Sequence, residues 1–369
     1  KFMDMTDPLV TINVSAEGAV SYKALMFIPA VAPYGYYSKE ADKGLQLYSN
    51  GVMIMDRCEQ LVPDYFRFVK GVVDSQDLSL NISRELLQHD RQLNIIAKNI
   101  EKKIKSELTK LLKNSPDKYE TFWKAFGLQI KYGIASTYGM NNENLKDLLV
   151  FKSSAVDGYT TLADYVSRMP ESQKYIYYAC GETAEKIQAL PQTELCKDKG
   201  YEFLYFTDDI DEFVAKSLIK YGEKTIMSIA DEHAELQSDE EKEKTEKQTQ
   251  ENKELLDFVA EKLKDKVTKA VISKNLKSHP VCLSAEGAIS IEMEKYFSQT
   301  PGDEPKPKAS KVLELNADHP AFEALKNAYE SDKEKAGKLA EILYNQGLLI
   351  AGLPLEKPVE YCDLVCSLF

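Results

Sequence analysis

The stretch KYIYYACGETAEKIQALPQTELCKDKGYEFLYFTD, residues 174–208, decides the fold class. KYIYYACG at 174–181 is a compact run of strand formers, AEKIQAL reads as a helix, and EFLYFTD at 202–208 is a second buried-strand candidate. Strands that alternate with helices build a layered α/β domain. Upstream, LVTINV (9–14) and VSYKALMFI (20–28) flank a turn at AEGA and predict a hairpin, and GLQLYS and GVMIMD continue that sheet. A long helix is predicted from Ser83, carried by Leu86, Leu93, Ile96, Ile100, Ile104 and Leu108 at helical spacing. Further helices are expected over 121–134 and 160–169.

Downstream, DEHAELQSDEEKEKTEKQTQENKE at 231–254 is nearly devoid of large apolar side chains, which marks a domain boundary or a solvated helix. LLDFVAEKLKDKV returns to helical periodicity. Residues 298–310 carry Pro301, Pro305 and Pro307 among mixed charges and predict a mobile loop. From His319 onward the chain reads as helical, with stripes at Phe322, Leu325 and Tyr329; at Leu339, Ile342, Leu343 and Gln346; and at Val359, Leu364, Val365 and Leu368. Such terminal helices either fold back on their own domain or bury their apolar faces by self-association.

At 369 residues the chain is long enough for two or three domains, each with its own core. Its 47 Lys and Arg against 59 Asp and Glu give a net charge of −12, which argues against a broad nucleic-acid footprint and confines any anion site to a local cluster. The 6 cysteines and 4 histidines lack zinc-site spacing and read as free thiols and isolated imidazoles in a reducing compartment, with no metal site. Cys362 and Cys366, four apart on a terminal helix, read as small core residues rather than a redox or metal pair. Neither a signal peptide nor a membrane-spanning apolar run is present, so a soluble cytoplasmic location without membrane attachment is expected. The opening KFMDMTDPLV enters a strand almost at once and reads as the middle of a longer protein.

No phosphate-binding glycine loop, HExxH or GxSxG motif is present, so the chain carries no self-contained catalytic signature. In DLSLNISRELLQ (77–88), however, Arg84 stands where a helix start favours carboxylates, with Gln88 one turn further on the same face. Asn81, Ser83, the helix-start N–H groups and the Arg84 guanidinium suit a phosphate oxygen; alternatively, Arg84 pairs with Asp77 or Glu85. Ile289, Met293, Tyr296 and Phe297 form a soft apolar stripe that fits either varied polypeptide partners or an ordinary core helix.

Four blocks are similar to one family. VPDYFRFVKGVVDSQDLSLNISRELLQ, TLADYVSRMPESQKYIYYACGE and LYFTDDIDEF resemble the middle domain of the 90-kilodalton heat-shock chaperones of bacterial type. ILYNQGLLIAGLPLEKP resembles their carboxyl-terminal domain. The resemblance implies a layered α/β middle domain over 1–235, a polar connector over 236–254, and a smaller mixed α/β dimerisation domain ending in helices over 255–369. It implies an ATP-dependent chaperone, homodimeric, that binds unfolded or partly folded clients and works with other chaperones. ATP and Mg²⁺ would be held by an amino-terminal domain outside this chain, leaving the chain alone inactive as an ATPase.

By the same resemblance Arg84, with Gln88 as companion, reaches the γ-phosphate, supported by Asn81 and Ser83. Ile289, Met293, Tyr296 and Phe297 would meet clients, and Leu339, Ile342, Leu343, Gln346, Leu364 and Leu368 would form the dimer seam. The tail DLVCSLF lacks the acidic pentapeptide of eukaryotic cytosolic members, which argues against docking of tetratricopeptide co-chaperones. Two other classes remain open: a transducer domain of a DNA-acting ATPase, which the acidic charge disfavours, and a dimeric scaffold without client work.

Overall fold

The computed structural model describes residues 7–38, 43–79, 90–231, 234, 236–301 and 305–368. Asn81, Ser83, Arg84 and Gln88 therefore lie outside the described residues, as does Leu86. The chain divides into two compact units, residues 1–150 with 161–163 and residues 151–160 with 164–369.

In the first unit, β1 (Val10–Ala16), β2 (Tyr22–Ile28), β3 (Leu45–Ser49), β4 (Val52–Cys58) and β5 (Lys70–Ser75) form a sheet of order β1-β2-β5-β3-β4. The expected hairpin is present, with Val10 opposite Ile28 and Ala16 opposite Tyr22. Strand β2 alternates buried and outward residues, which gives the sheet one packed face. Helices α1 (Arg91–Asn114), α2 (Pro116–Ala135) and α3 (Asn142–Leu145) follow.

Here one expectation fails. The long helix does not run unbroken from Ser83, because Asp90 is extended (φ −71°, ψ 121°) and its carboxylate accepts the Leu93 N–H at 2.8 Å, a cap that starts α1 at Arg91. From there Leu93, Ile96, Ile100, Ile104, Leu108 and Leu111 are all buried along one stripe, as the spacing predicts. Ser115 separates α1 from α2, and Pro116 occupies the first helical position, where its missing N–H has no partner to lose. In the core of this unit the Phe68 and Phe126 rings stack 4.9 Å apart and Phe122 meets Phe68 edge-on at 5.2 Å. Trp123 is buried here too.

The second unit begins with a six-stranded sheet of order β10-β11-β8-β9-β6-β7. Its strands are β6 (Val150–Ser153), β7 (Tyr159–Thr161), β8 (Ile176–Cys180), β9 (Phe203–Phe206), β10 (Lys220–Tyr221) and β11 (Lys224–Ser228). The helices α4 (Leu162–Arg168), α5 (Ala184–Gln188), α6 (Glu194–Asp198) and α7 (Asp211–Leu218) connect them. Strands β8 and β9 run parallel, and β11 is parallel to β8. Ile176 through Ala179 and all of β9 are buried, so both faces of this pair are covered. On one face Tyr178 stacks on Phe206 at 4.4 Å; elsewhere Tyr177, Ile187, Phe203, Tyr205 and Ile229 share a cluster.

Several buried polar groups here share one network. The Tyr165 hydroxyl donates to the Glu202 carbonyl at 2.5 Å and accepts from Gln173 Nε2 at 2.8 Å and from the Tyr177 N–H at 3.0 Å. Arg168 closes a two-point fork on the Glu202 carboxylate at 2.7 and 3.1 Å and adds Thr160 Oγ1 at 2.8 Å.

The polar run becomes α8 (Asp239–Glu251), a helix with no buried residue that starts on a reciprocal Ser238–Glu241 capping box. Then come α9 (Lys253–Lys262), β12 (Lys269–Ile272), β13 (Val281–Glu286), α10 (Ile291–Gln299), β14 (Ser310–Leu315), α11 (Pro320–Ser331), α12 (Lys333–Ile350) and α13 (Pro358–Cys366). The sheet order is β12-β14-β13. It packs with α9, α11 and α12 around Val259, Leu283, Leu313, Leu325, Leu343 and Leu348.

Gly133 shows which force fixes α2. A Cβ at this position would stand 2.5 Å from Tyr65 Cβ and 2.8 Å from Leu145 Cδ1. Alanine improves helix propensity by ~1 kcal/mol, whereas forcing a methyl into a filled core costs ~1–3 kcal/mol. Gly133→Ala should therefore lower stability by up to about 2 kcal/mol in urea titration; a stabilised variant would mean that Tyr65 moves aside freely.

Candidate functional site

Helix α10 begins where the Ser290 hydroxyl accepts the Met293 N–H at 3.1 Å. That cap corrects one expectation: Ile289 precedes the helix, so it is not the first rung of the stripe, and it instead lines a neighbouring cavity. Met293, Tyr296 and Phe297 do share the helix, and no residue of α10 is fully buried. Tyr296 and Phe297 lie edge-on to Phe213 of α7, with ring centroids 5.1 and 5.8 Å away, and 5.7 Å from each other. The result is a half-exposed aromatic trio beside a methionine, a surface of large apolar area with soft edges. Phe213 was not singled out from sequence; it lies some 80 positions from its partners, and only the tertiary fold joins them.

Polar contacts hold α10 in place. Glu294 accepts from Lys311 Nζ at 2.7 Å and from the Ala309 N–H at 2.8 Å, and Lys306 Nζ donates to the Ser298 carbonyl at 2.6 Å. The described residues of the segment predicted to be mobile are thus tied to the helix.

Beside the N-terminal end of α10 lies a cavity of about 400 Å³. Its walls come from the end of β8 with Cys180, from α7 with Glu212 and Lys216, from the Ser228–Asp231 turn, and from β13, α10 and the Leu349–Gly352 segment. Glu212 is almost fully buried and accepts from the Tyr178 hydroxyl at 3.0 Å and the Cys180 thiol at 3.1 Å. Burial pushes the Glu212 carboxyl up, against the opposing pull of Cys180, Lys216 and Tyr178. Burial, and then the Glu212 carboxylate beside it, push the Cys180 thiol well above its ordinary value, so it rests as a thiol.

A second polar cluster joins α6 to the loop before β13. Glu194 Oε2 accepts the Lys277 and Ser278 N–H groups, each at 3.0 Å, and its Oε1 accepts the Ser278 hydroxyl and lies 2.9 Å from His279 Nδ1. Burial pushes this carboxyl up, but the Ser278, Lys277 and His279 hydrogen bonds outweigh it and hold Glu194 at about 2.

The residues named for a dimer seam fall into two groups. Ile342 and Leu343 are buried within this chain, Leu343 and the partly buried Leu339 belonging to the core around β13 and β14, and Gln346 is half-buried. On α13 no residue is buried: Leu364 is half-buried, Leu368 just beyond is 37% exposed, and Val359 is 72% exposed. Cys362 and Cys366 are exposed free thiols on this helix, which overturns their reading as core residues. The helix packs so little of itself inward that small side chains have no core to fill. Among the described residues no group of His, Cys, Asp or Glu is placed to hold a metal ion, and no helix is long and apolar enough to cross a membrane.

Because Glu194 binds its proton less readily folded than unfolded, its stabilising effect is full above about 4.5 and is lost as pH falls toward about 2. Glu194→Gln should lower stability by about 1–3 kcal/mol at neutral pH. It should also flatten the acid limb of the stability profile between those values, measured by urea midpoints across pH; parallel wild-type and variant profiles would contradict the assignment.

The sequence model described as Hsp90 protein matches residues 2–369. A chaperone protein HtpG of Clostridium acetobutylicum is 55% identical over 368 residues, which cover 100% of this chain and 58% of the relative. One of Bacillus subtilis is 53% identical over 360 residues, 98% of this chain and 57% of the relative. The chain thus spans under two thirds of the length of these curated relatives.

Proposed function

Given that the chain belongs to the Hsp90 family, we propose that it is the client-holding and self-associating portion of an ATP-driven molecular chaperone. The observation that carries this reading is the half-exposed surface of Met293, Tyr296, Phe297 and Phe213 on a helix anchored by Glu294. Apolar, polarisable and not fully packed, it fits exposed apolar segments of partly folded proteins without demanding one sequence. In this reading residues 1–235 are the middle domain, 236–254 the connector and 255–369 the dimerisation domain.

In the intact protein ATP and Mg²⁺ are held outside this chain, and Arg84 with Gln88 supports charge on the transferring phosphoryl group. Asn81 and Ser83 support that phosphate contact. An arginine in that role contributes ~10³-fold or more to turnover. The intact protein is a cytoplasmic homodimer whose partners are unfolded clients and other chaperones. Its seam draws on α13, whose apolar residues have little to cover them within one chain.

Client holding is tested by the chain's suppression of aggregation of a thermally unfolded enzyme. Losing the contact area of Met293 and Phe297 should weaken capture about tenfold, so Met293→Ser with Phe297→Ser should need correspondingly more protein while keeping its circular dichroism. Undiminished suppression would reject this surface, and no suppression by the unaltered chain would favour a scaffold. In the intact protein, Arg84→Ala at matched nucleotide occupancy should cut ATP turnover by about 10³-fold; unchanged turnover would leave Arg84 a local ion-pair residue. Leu364→Asp with Leu368→Asp should shift the chain to monomer in sedimentation equilibrium, because a charge in an apolar seam is left unpaired; an unshifted dimer would place the seam elsewhere.

A further inference from the structure

The order β12-β14-β13 makes β13 an edge strand. Residues opposed across an antiparallel pair alternate: one pair exchanges both backbone hydrogen bonds, and the next points its N–H and C=O groups away. Both strands fix that alternation. The Asn316 N–H donates to the Pro280 carbonyl at 3.0 Å and Val281 lies opposite Leu315, so positions 280, 282 and 284 face β14. The Leu315 and Lys311 carbonyls instead accept the Ser273 and Thr268 N–H groups on the β12 side, each at 2.8 Å. The residues opposite them, Val281 and Ala285, therefore turn their backbone groups off the sheet edge. Leu283 does so too, since its carbonyl accepts Gln192 Nε2 at 3.2 Å.

Ala285 is where this edge is open. Val281 and Leu283 are sealed, at 0% and 1% exposure, whereas Ala285 is only partly buried and lines the cavity of about 400 Å³ beside α10. Among the described residues neither its N–H nor its carbonyl has a hydrogen-bond partner. A donor and an acceptor side by side on a strand edge match the C=O and N–H of an extended peptide, which adds as a further strand. Exposed Gly287, on the same wall, marks the mouth by which a segment enters. Leu190, Ile229, Ile289 and Ile350 offer apolar wall to its side chains. The charged groups of the wall are of both signs: Lys186, Lys216 and Lys295 stand among Glu182, Glu212, Asp231 and Glu292, and His279 is engaged by Glu194. Neither sign prevails, so the wall selects no charge and recognition falls to the main chain.

We propose that an extended segment of another polypeptide binds in this cavity as an added strand, pairing its main-chain N–H and C=O with those of Ala285. That the segment belongs to a partly folded client rests on the reading above; the pairing itself does not. It adds to the aromatic surface of α10 a contact open to nearly every sequence, because the main chain is common to all of them. Proline alone lacks the donor.

A capped peptide, acetyl-Thr-Val-Thr-Val-Thr-amide, and its counterpart methylated at every peptide nitrogen test the pairing, since both keep the side chains and only the first keeps the donors. Saturation-transfer NMR titration on the whole chain should show the first bound and the second about tenfold weaker, the penalty of hydrogen bonds left unmade. Ala285→Pro removes the N–H without breaking a ladder bond, because that group faces off the edge. It should weaken the first peptide about tenfold and keep the circular dichroism of the unaltered chain. Absence of binding, equal binding of the two peptides to the unaltered chain, or undiminished binding by a folded Ala285→Pro chain would overturn the proposal. Peptide bound without any suppression of aggregation would support the pairing while removing the client reading.

Discussion

Two neighbouring strands with no polar face impose the plan of the second unit. Strands β8 and β9 bury nearly every side chain, so each must be covered above and below, and a parallel pair can be joined only by a connection that crosses over the sheet. Helices α5 and α6 make that crossing. The polar atoms this burial strands are then gathered at a few points. Tyr165 satisfies three partners with one hydroxyl, and Glu202 offers its carbonyl to Tyr165 and its carboxylate to Arg168. Removing one member would leave others buried and unpaired, which is why a small network can hold a sheet edge, a helix and a turn together.

The same burial delivers the functional surface. Helix α7 follows directly from β9, and its first turn carries Glu212 inward and Phe213 outward. One residue thus braces the end of β8 through Tyr178 and Cys180, while the next meets Tyr296 and Phe297. Glu212 thus ties the turn that presents Phe213 to the end of β8.

Much of this was legible in sequence because it rests on local periodicity. The apolar runs at 174–181 and 202–208, the hairpin around AEGA and the stripe from Leu93 to Leu108 all appear as their spacing predicts. Failures came where a single side chain outvotes periodicity: Asp90 sets the start of a helix, and Ser290 places Ile289 outside one. Phe213, Gln192 and Glu194 were illegible for another reason. Each acts through partners about 80 or more positions away, and nothing near them in the chain signals the meeting. The exposed Cys362 and Cys366 show the converse, since an apolar stripe specifies a face to be covered but not what covers it.

Helix α8 has a different kind of consequence. It connects the cluster that ends at Leu236 to the one that begins at Leu255, yet it buries nothing; beyond its capping box, its ties include those of Lys244 and Gln248 to Asp318. A segment whose length is set by no core is free to vary over evolutionary time. Inserting two helical turns would add roughly 10 Å of rod and leave both cores intact, so this is where descendants of the chain can change the reach between their working parts without redesigning either.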